Sequence, residues 1–154
     1  MSQMMNVELR DIVLSNNSFG PNEITTITRR IGDDYSQFPI LRDLTQELEA
    51  QTTRSPASSV RLGVCQYILG RYRLAISTLE NSDSGALASF YMGRSHFALE
   101  NYDDAIACYE KAKLAGLDAN IVAVAVAESK RLQGDLDGSM AILDNLFGPI
   151  EQTA

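Results

Sequence analysis

Glu100-Asn101-Tyr102-Asp103-Asp104-Ala105-Ile106 repeats, in altered form, the stretch Gly70-Arg71-Tyr72-Arg73-Leu74-Ala75-Ile76, and a fair third copy stands at Gly134-Asp135-Leu136-Asp137-Gly138-Ser139-Met140. In each, a turn-forming pair is followed by a large residue and then by a small residue beside an apolar one. Upstream stand Gly63, Gly93 and Ala127, separated by 30 and 34 residues, so the first loop between copies is four residues shorter than the second. Apolar residues at helical spacing on both sides of each turn make every copy a pair of short amphipathic helices. A helical hairpin recurring at a period of about 34 residues is the sequence sign of a solenoid, because one such unit cannot bury its apolar face alone.

Working outward from the turns, Ser55 followed by Pro56 reads as an N-cap with proline at the first helical position. The first hairpin then runs to about Leu69, turns at Gly70 and returns from Arg71 to Glu80. Ser84 is a candidate cap for the next helix, Ala86–Leu99. Glu100-Asn101 is its turn, with Asn101 expected in the left-handed position that Gly70 fills in the first copy. The return helix covers Tyr102–Leu114 and ends at Gly116. Asp118 caps a helix reaching Gln133, and the last helix spans Leu136–Phe147 before Gly148-Pro149. The expected organisation is a helical N-terminal extension over residues 1–54 and three hairpins over 55–154, at about 56–85, 86–119 and 120–147.

The first third carries no copy of the repeat. Its expected elements are a short helix over 5–15 with Val7, Leu9, Ile12 and Val13 apolar, and a turn at Ser15-Asn16-Asn17-Ser18-Phe19-Gly20. A helix then opens at Pro21, with Ile24, Ile27 and Ile31 on one face, and stops at Gly32-Asp33-Asp34. A further helix covers about Pro39–Gln51, with Ile40, Leu41, Leu44 and Leu48 on one side.

Composition limits the function. A chain of 154 residues with 45% hydrophobic and 21% charged residues has the means for a real core. The net charge of −7 and pI of about 4.6 disfavour nucleic acid and anionic membrane as partners of the whole chain. The charge is even: five Lys/Arg against eight Asp/Glu in residues 1–54, and eight against twelve in the remainder. The start, MSQMMNVELRD, has no apolar leader, and no apolar run reaches membrane-spanning length, which points to a cytoplasmic protein. Cys65 and Cys108 read as small apolar fillers in a reducing compartment. A single histidine, His96, and two distant thiols are poor material for a metal site or a catalytic triad. Asp103, Asp104, Asp135 and Asp137 sit at helix starts, where they favour the dipole. No phosphate loop occurs, so neither enzyme activity nor a cofactor is expected.

The repeat resembles the tetratricopeptide family. That resemblance rests on the three phrases above and on the small pairs Gly63 with Ala75, Gly93 with Ala105, and Ala127 with Ser139, where large side chains would hold two helices apart. It covers about residues 56–147. The chain departs from the family in having Ser59, Ser89 and Ala123 where an aromatic is common, and Leu117 nearest to the usual closing proline. The resemblance implies an all-α, right-handed helical-hairpin solenoid whose first helices line a concave groove. That lining would be Val60, Val64 and Tyr67, then Leu87, Phe90, Arg94 and Phe97, then Ile121, Val124, Glu128 and Arg131. A mostly apolar lining suits an amphipathic helix or an apolar peptide of another protein, with Arg94, Glu128 and Arg131 selecting among partners. Of Val60, Val64, Phe90, Arg94, Val124 and Glu128, which correspond to the family's grip on a terminal carboxylate, only Arg94 is suited to it.

Two further readings stand beside this one. The last helix ends the array with Met140, Leu143 and Phe147 at helical spacing and no cap after it. Solenoid ends need a polar cap, so this face is expected either to meet a following repeat or to pair with a second copy in a homodimer. The tail Gly148-Pro149-Ile150-Glu151-Gln152-Thr153-Ala154 reads like an inter-repeat loop cut short. Separately, residues 13–31, with Asn17-Ser18-Phe19-Gly20 ahead of Glu23-Ile24, resemble part of the C-terminal domain of the bacterial RNA polymerase α-subunit. That implies a place in a bacterial transcription-associated regulator, with Arg29 and Arg30 near phosphate but offset by Asp33 and Asp34.

Overall fold

The computed structural model describes residues 8–15 and 18–148. Val7, Asn16, Asn17 and the tail from Pro149 lie outside the described residues. All regular structure among the described residues is α-helical. The chain divides into two units, the first ending at Asp83 and the second beginning at Ser84.

The first unit contains α1 (Leu9–Val13), α2 (Pro21–Asp33), α3 (Gln37–Ala50), α4 (Pro56–Ile68) and α5 (Tyr72–Glu80). Pro21 stands at the first position of α2, and the Gly20 N–H donates to Glu23 Oε1 at 3.2 Å. Asp34 forms the turn into α3 by accepting from Ser36 N at 3.0 Å and Ser36 Oγ at 2.7 Å. Those two bonds, the hydroxyl's above all, hold the Asp34 carboxyl below its usual range. Two expectations are corrected here. Helix α3 opens at Gln37 rather than Pro39, which a proline in the first turn permits because its missing N–H has no helical acceptor there. Ile40 is 43% exposed, and the buried face is Leu41, Leu44, Thr45 and Leu48. Thr45 is tolerated in that interior because its hydroxyl donates to the Leu41 carbonyl at 2.7 Å.

Leu9, Val13, Ile27, Leu41, Leu44 and Leu48 form one core with Leu62 and Cys65 of α4, flanked by Ile68 and Leu69. The N-terminal helices thus cover one side of α4. Ser55 caps that helix by accepting from Ser58 N at 3.1 Å, as expected of a Ser-Pro start.

The second unit contains α6 (Ala86–Ala98), α7 (Tyr102–Leu114), α8 (Ala119–Gln133) and α9 (Leu136–Phe147). Helices α6 and α7 pack as one hairpin, α8 and α9 as another, and α7 packs on α8. Ala105, Tyr109, Val122, Ala125 and Val126 are its core, with Phe90, Phe97, Ile106, Leu117 and Ile142 packed around them.

One turn geometry closes all three hairpins. The N–H groups of Arg71, Asn101 and Asp135 each reach back five residues, to the carbonyls of Gln66, His96 and Lys130, at 2.9 Å. The residue before each donor is left-handed: Gly70 at φ +82°, Glu100 at +64° and Gly134 at +92°. This Schellman closure satisfies orphan carbonyls at the helix end. The expectation for Asn101 is corrected by one residue. Asn101 has φ −90°, and Glu100 occupies the left-handed position.

Candidate functional site

Helices α6, α8 and α9 of the second unit border an open cavity of about 450 Å³ lined by Phe90, Arg94, Asn120, Ile121, Val124, Ala125, Glu128, Leu146 and Phe147. Local sequence places the lining. On α8, Ile121, Val124, Ala125 and Glu128 recur at spacings of three and four and so share a face, while Val122 and Val126 turn into the core. Asp118 fixes the start of that helix by accepting from the N–H groups of Asn120 and Ile121. On α6, Phe90 and Arg94 are one turn apart and both half-buried.

The Phe90 ring is held from below. Its centroid lies 5.6 Å from that of buried Tyr109 and 5.3 Å from that of Tyr91. Tyr109 in turn lies over Gly93: a Cβ there would stand 2.5 Å from the tyrosine Cε1. The absent side chain of Gly93 therefore lets Tyr109 support Phe90 from beneath the cavity. The small pair expected at this crossing is real, since Ala105 is buried beside it, but the residue that needs the glycine is Tyr109. Gly63 serves Leu79 in the same way, with a built Cβ 2.4 Å from Leu79 Cγ.

The polar end of the cavity is an ion pair. Arg94 Nη1 lies 3.8 Å from Glu128 Oε2, and the Arg94 guanidinium stands 5.3 Å from the Phe97 ring centroid. The site thus offers an apolar floor and one partly exposed salt bridge, and among the described residues no group of three His, Cys, Asp or Glu side chains is placed to hold a metal ion.

Of the residues named from sequence, Phe90, Arg94, Ile121, Val124 and Glu128 come together here. Leu87 and Phe97 are half-buried outside the cavity, with Phe97 against the core and edge-on to Tyr102. Arg131 is exposed elsewhere on α8. In the first unit, Val60 and Val64 are buried, at 6% and 0% exposure, and present no surface, while Tyr67 is half-buried against Tyr72. Leu146 and Phe147 were not anticipated as lining. Their apolar spacing at the end of the last helix was the available signal.

No helix among the described residues is long and apolar enough to cross a membrane. A search of curated proteins returns no match. Residues 43–112, less than half of the chain, match the model of a family described as anaphase-promoting complex, cyclosome, subunit 3. The match begins within α3 and ends within α7, taking in the first hairpin and most of the second. With the hairpins and their shared turn closure, it identifies the fold as a tetratricopeptide-like array of helical hairpins.

Proposed function

We propose that the α6–α8–α9 cavity is a docking site for the apolar face of an amphipathic helix from another protein, and that the chain acts by binding rather than by catalysis. Tetratricopeptide-like repeats commonly serve as protein-interaction modules, and the matched family is itself named for a subunit of a multiprotein complex. The observation that carries the reading is the exposure of the lining: Ile121 is 50% exposed, Val124 44% and Phe147 74%. Contiguous exposed apolar side chains around a concavity mark an interaction surface. A cavity of this size takes one or two large side chains of an entering helix, spaced at i and i+3 or i+4. The Arg94–Glu128 pair at one end supplies a polar match for a residue flanking those anchors.

The test is selection of a displayed peptide library on the full chain, repeated on an Ile121→Arg/Val124→Arg variant. These residues are exposed, so the variant keeps its helical circular dichroism. Enrichment of amphipathic peptides on the wild type alone is the expected outcome. Peptides binding both proteins equally would sink the reading.

A second reading has an observation of its own. Leu136, Met140 and Phe147 on α9 are 58%, 59% and 74% exposed, an apolar face that suits either a further repeat or a second copy of the chain. Sedimentation equilibrium distinguishes the two: a dimer lost in Met140→Glu favours self-association, and a monomer at all concentrations removes it.

A further inference from the structure

The first unit holds a second cavity, of about 270 Å³, between the end of α1, the end of α3 and the start of α4. Its chemistry is opposite to that of the peptide site. Arg54 and Arg61 line it together with Thr53, Ser55 and Ser58, and among the described residues neither an aspartate nor a glutamate does. In a chain of net charge −7 this is a local excess of cation.

Arg61 is 6% exposed. Its hydrogen bond to the Ile12 carbonyl is long, at 3.5 Å, and its guanidinium stands 5.5 Å from the Phe19 ring centroid. None of the ion pairs among the described residues includes Arg61 or Arg54. Glu23 acts on Arg61 electrostatically without reaching it, and its Oε1 accepts from Gly20 N. A guanidinium has five donors and stays charged at any physiological pH. Burying one without a contacting anion is costly, and the cost falls when an anion enters. Arg54 adds to the demand. Its Nη1 donates to the carbonyls of Leu48, Glu49 and Gln51, closing α3, while its Nε is buried with no acceptor. The positive end of the α4 dipole opens at the same place, from Pro56 onward.

We propose that this cavity binds a phosphate group, with Arg61 as its buried countercharge and Arg54 and the Thr53 and Ser58 hydroxyls as further donors. Two arginines and several hydroxyl side chains lining one cavity suit a tetrahedral oxyanion better than a planar carboxylate, which one arginine already satisfies. The volume leaves room for a few atoms beyond the phosphate, so the group arrives either free or on a small carrier such as a phosphorylated side chain.

The experiment is titration of the full chain with inorganic phosphate and, separately, with phosphoserine, at constant ionic strength. The readouts are ³¹P line broadening and the thermal midpoint. Two variants accompany the wild type. Arg61→Gln removes the countercharge. Ala57→Glu places a carboxylate at the exposed rim of the cavity without touching the core, and at a helix N-terminus it does not harm the fold. Saturable binding by the wild type, weakened about tenfold or more in Ala57→Glu with circular dichroism unchanged, is the expected result. Tighter binding of phosphoserine assigns the phosphate to a phosphorylated side chain, and equal binding assigns it to the free ion. Absence of saturable binding, or equal binding by wild type and Ala57→Glu, overturns the proposal whether or not Arg61→Gln folds.

Discussion

Gly93 has no side chain because Tyr109 occupies the space: a Cβ at Gly93 would lie 2.5 Å from Tyr109 Cε1 and 3.2 Å from the Ala105 carbonyl oxygen. Tyr109 is fully buried and its ring supports Phe90 in the cavity floor. Gly93→Ala therefore overpacks the crossing of α6 and α7. We expect a loss of about 1–3 kcal/mol in urea denaturation, despite the higher helix propensity of alanine. Peptide binding should weaken with it, since Phe90 moves when Tyr109 does. A neutral Gly93→Ala would show that the crossing is looser than this geometry.

Glu100 is strained where its counterparts are not. It holds φ +64° at the position that glycine takes in the other two hairpins. Glu100→Gly should raise stability by about 0.5–1 kcal/mol, the residual after the entropy glycine adds to the unfolded chain. Gly70→Ala and Gly134→Ala should each lower it by about 1 kcal/mol. Thermal midpoints of the three variants check the sign as well as the size.

The Arg94–Glu128 pair is half-exposed at 3.8 Å. Such pairs contribute about 0–1 kcal/mol to stability. Exchanging the charges, Arg94→Glu with Glu128→Arg, should leave the fold within that margin and change which displayed peptides are selected. If selection is unaltered by the exchange, the pair has no part in specificity.

Cys65 is fully buried, and desolvation pushes its thiol up from 9.0 to about 12, opposed by the Thr45 hydroxyl and by Arg61. The folded pKa is raised, so the folded state retains the proton that the unfolded state loses. The stability this contributes is complete below about pH 9 and is lost between about 9 and 12, with a slope of about 1.4 kcal/mol per pH unit. The destabilisation caused by Cys65→Ala at pH 8 should therefore shrink as pH rises through that window. Alkylation mapped by mass spectrometry should spare Cys65 in the native protein and modify it in urea.

Much of the fold was legible because the repeat makes each position checkable against another copy. The helix pair of every hairpin, the Ser55 and Asp118 caps and the small residues at the crossings follow from spacing and turn chemistry, which are local. The left-handed position falls on Glu100 rather than on Asn101, where propensity would place it. The register of the Schellman closure overrides that propensity, since the Asn101 N–H must reach His96. Ile40 was misread because spacing alone does not say which side of α3 faces Leu9 and Val13.

The candidate site was legible only in part, and for a related reason. Phe90, Arg94, Ile121, Val124 and Glu128 share helix faces that periodicity reveals. Val60 and Val64 carry the same periodicity in the first hairpin and are buried, because an apolar stripe at helical spacing looks alike whether solvent or protein covers it. Leu146 and Phe147 join the lining only because α9 returns alongside α8.

By itself, then, the sequence determined the helical class, the hairpin period and the turns, all consequences of interactions between residues a few positions apart. Tertiary structure alone decided which apolar faces remain open, that Tyr109 needs Gly93 empty, and that Arg61 is buried with no ion pair among the described residues. These depend on distances between residues separated by tens of positions, and only the packed chain sets such distances.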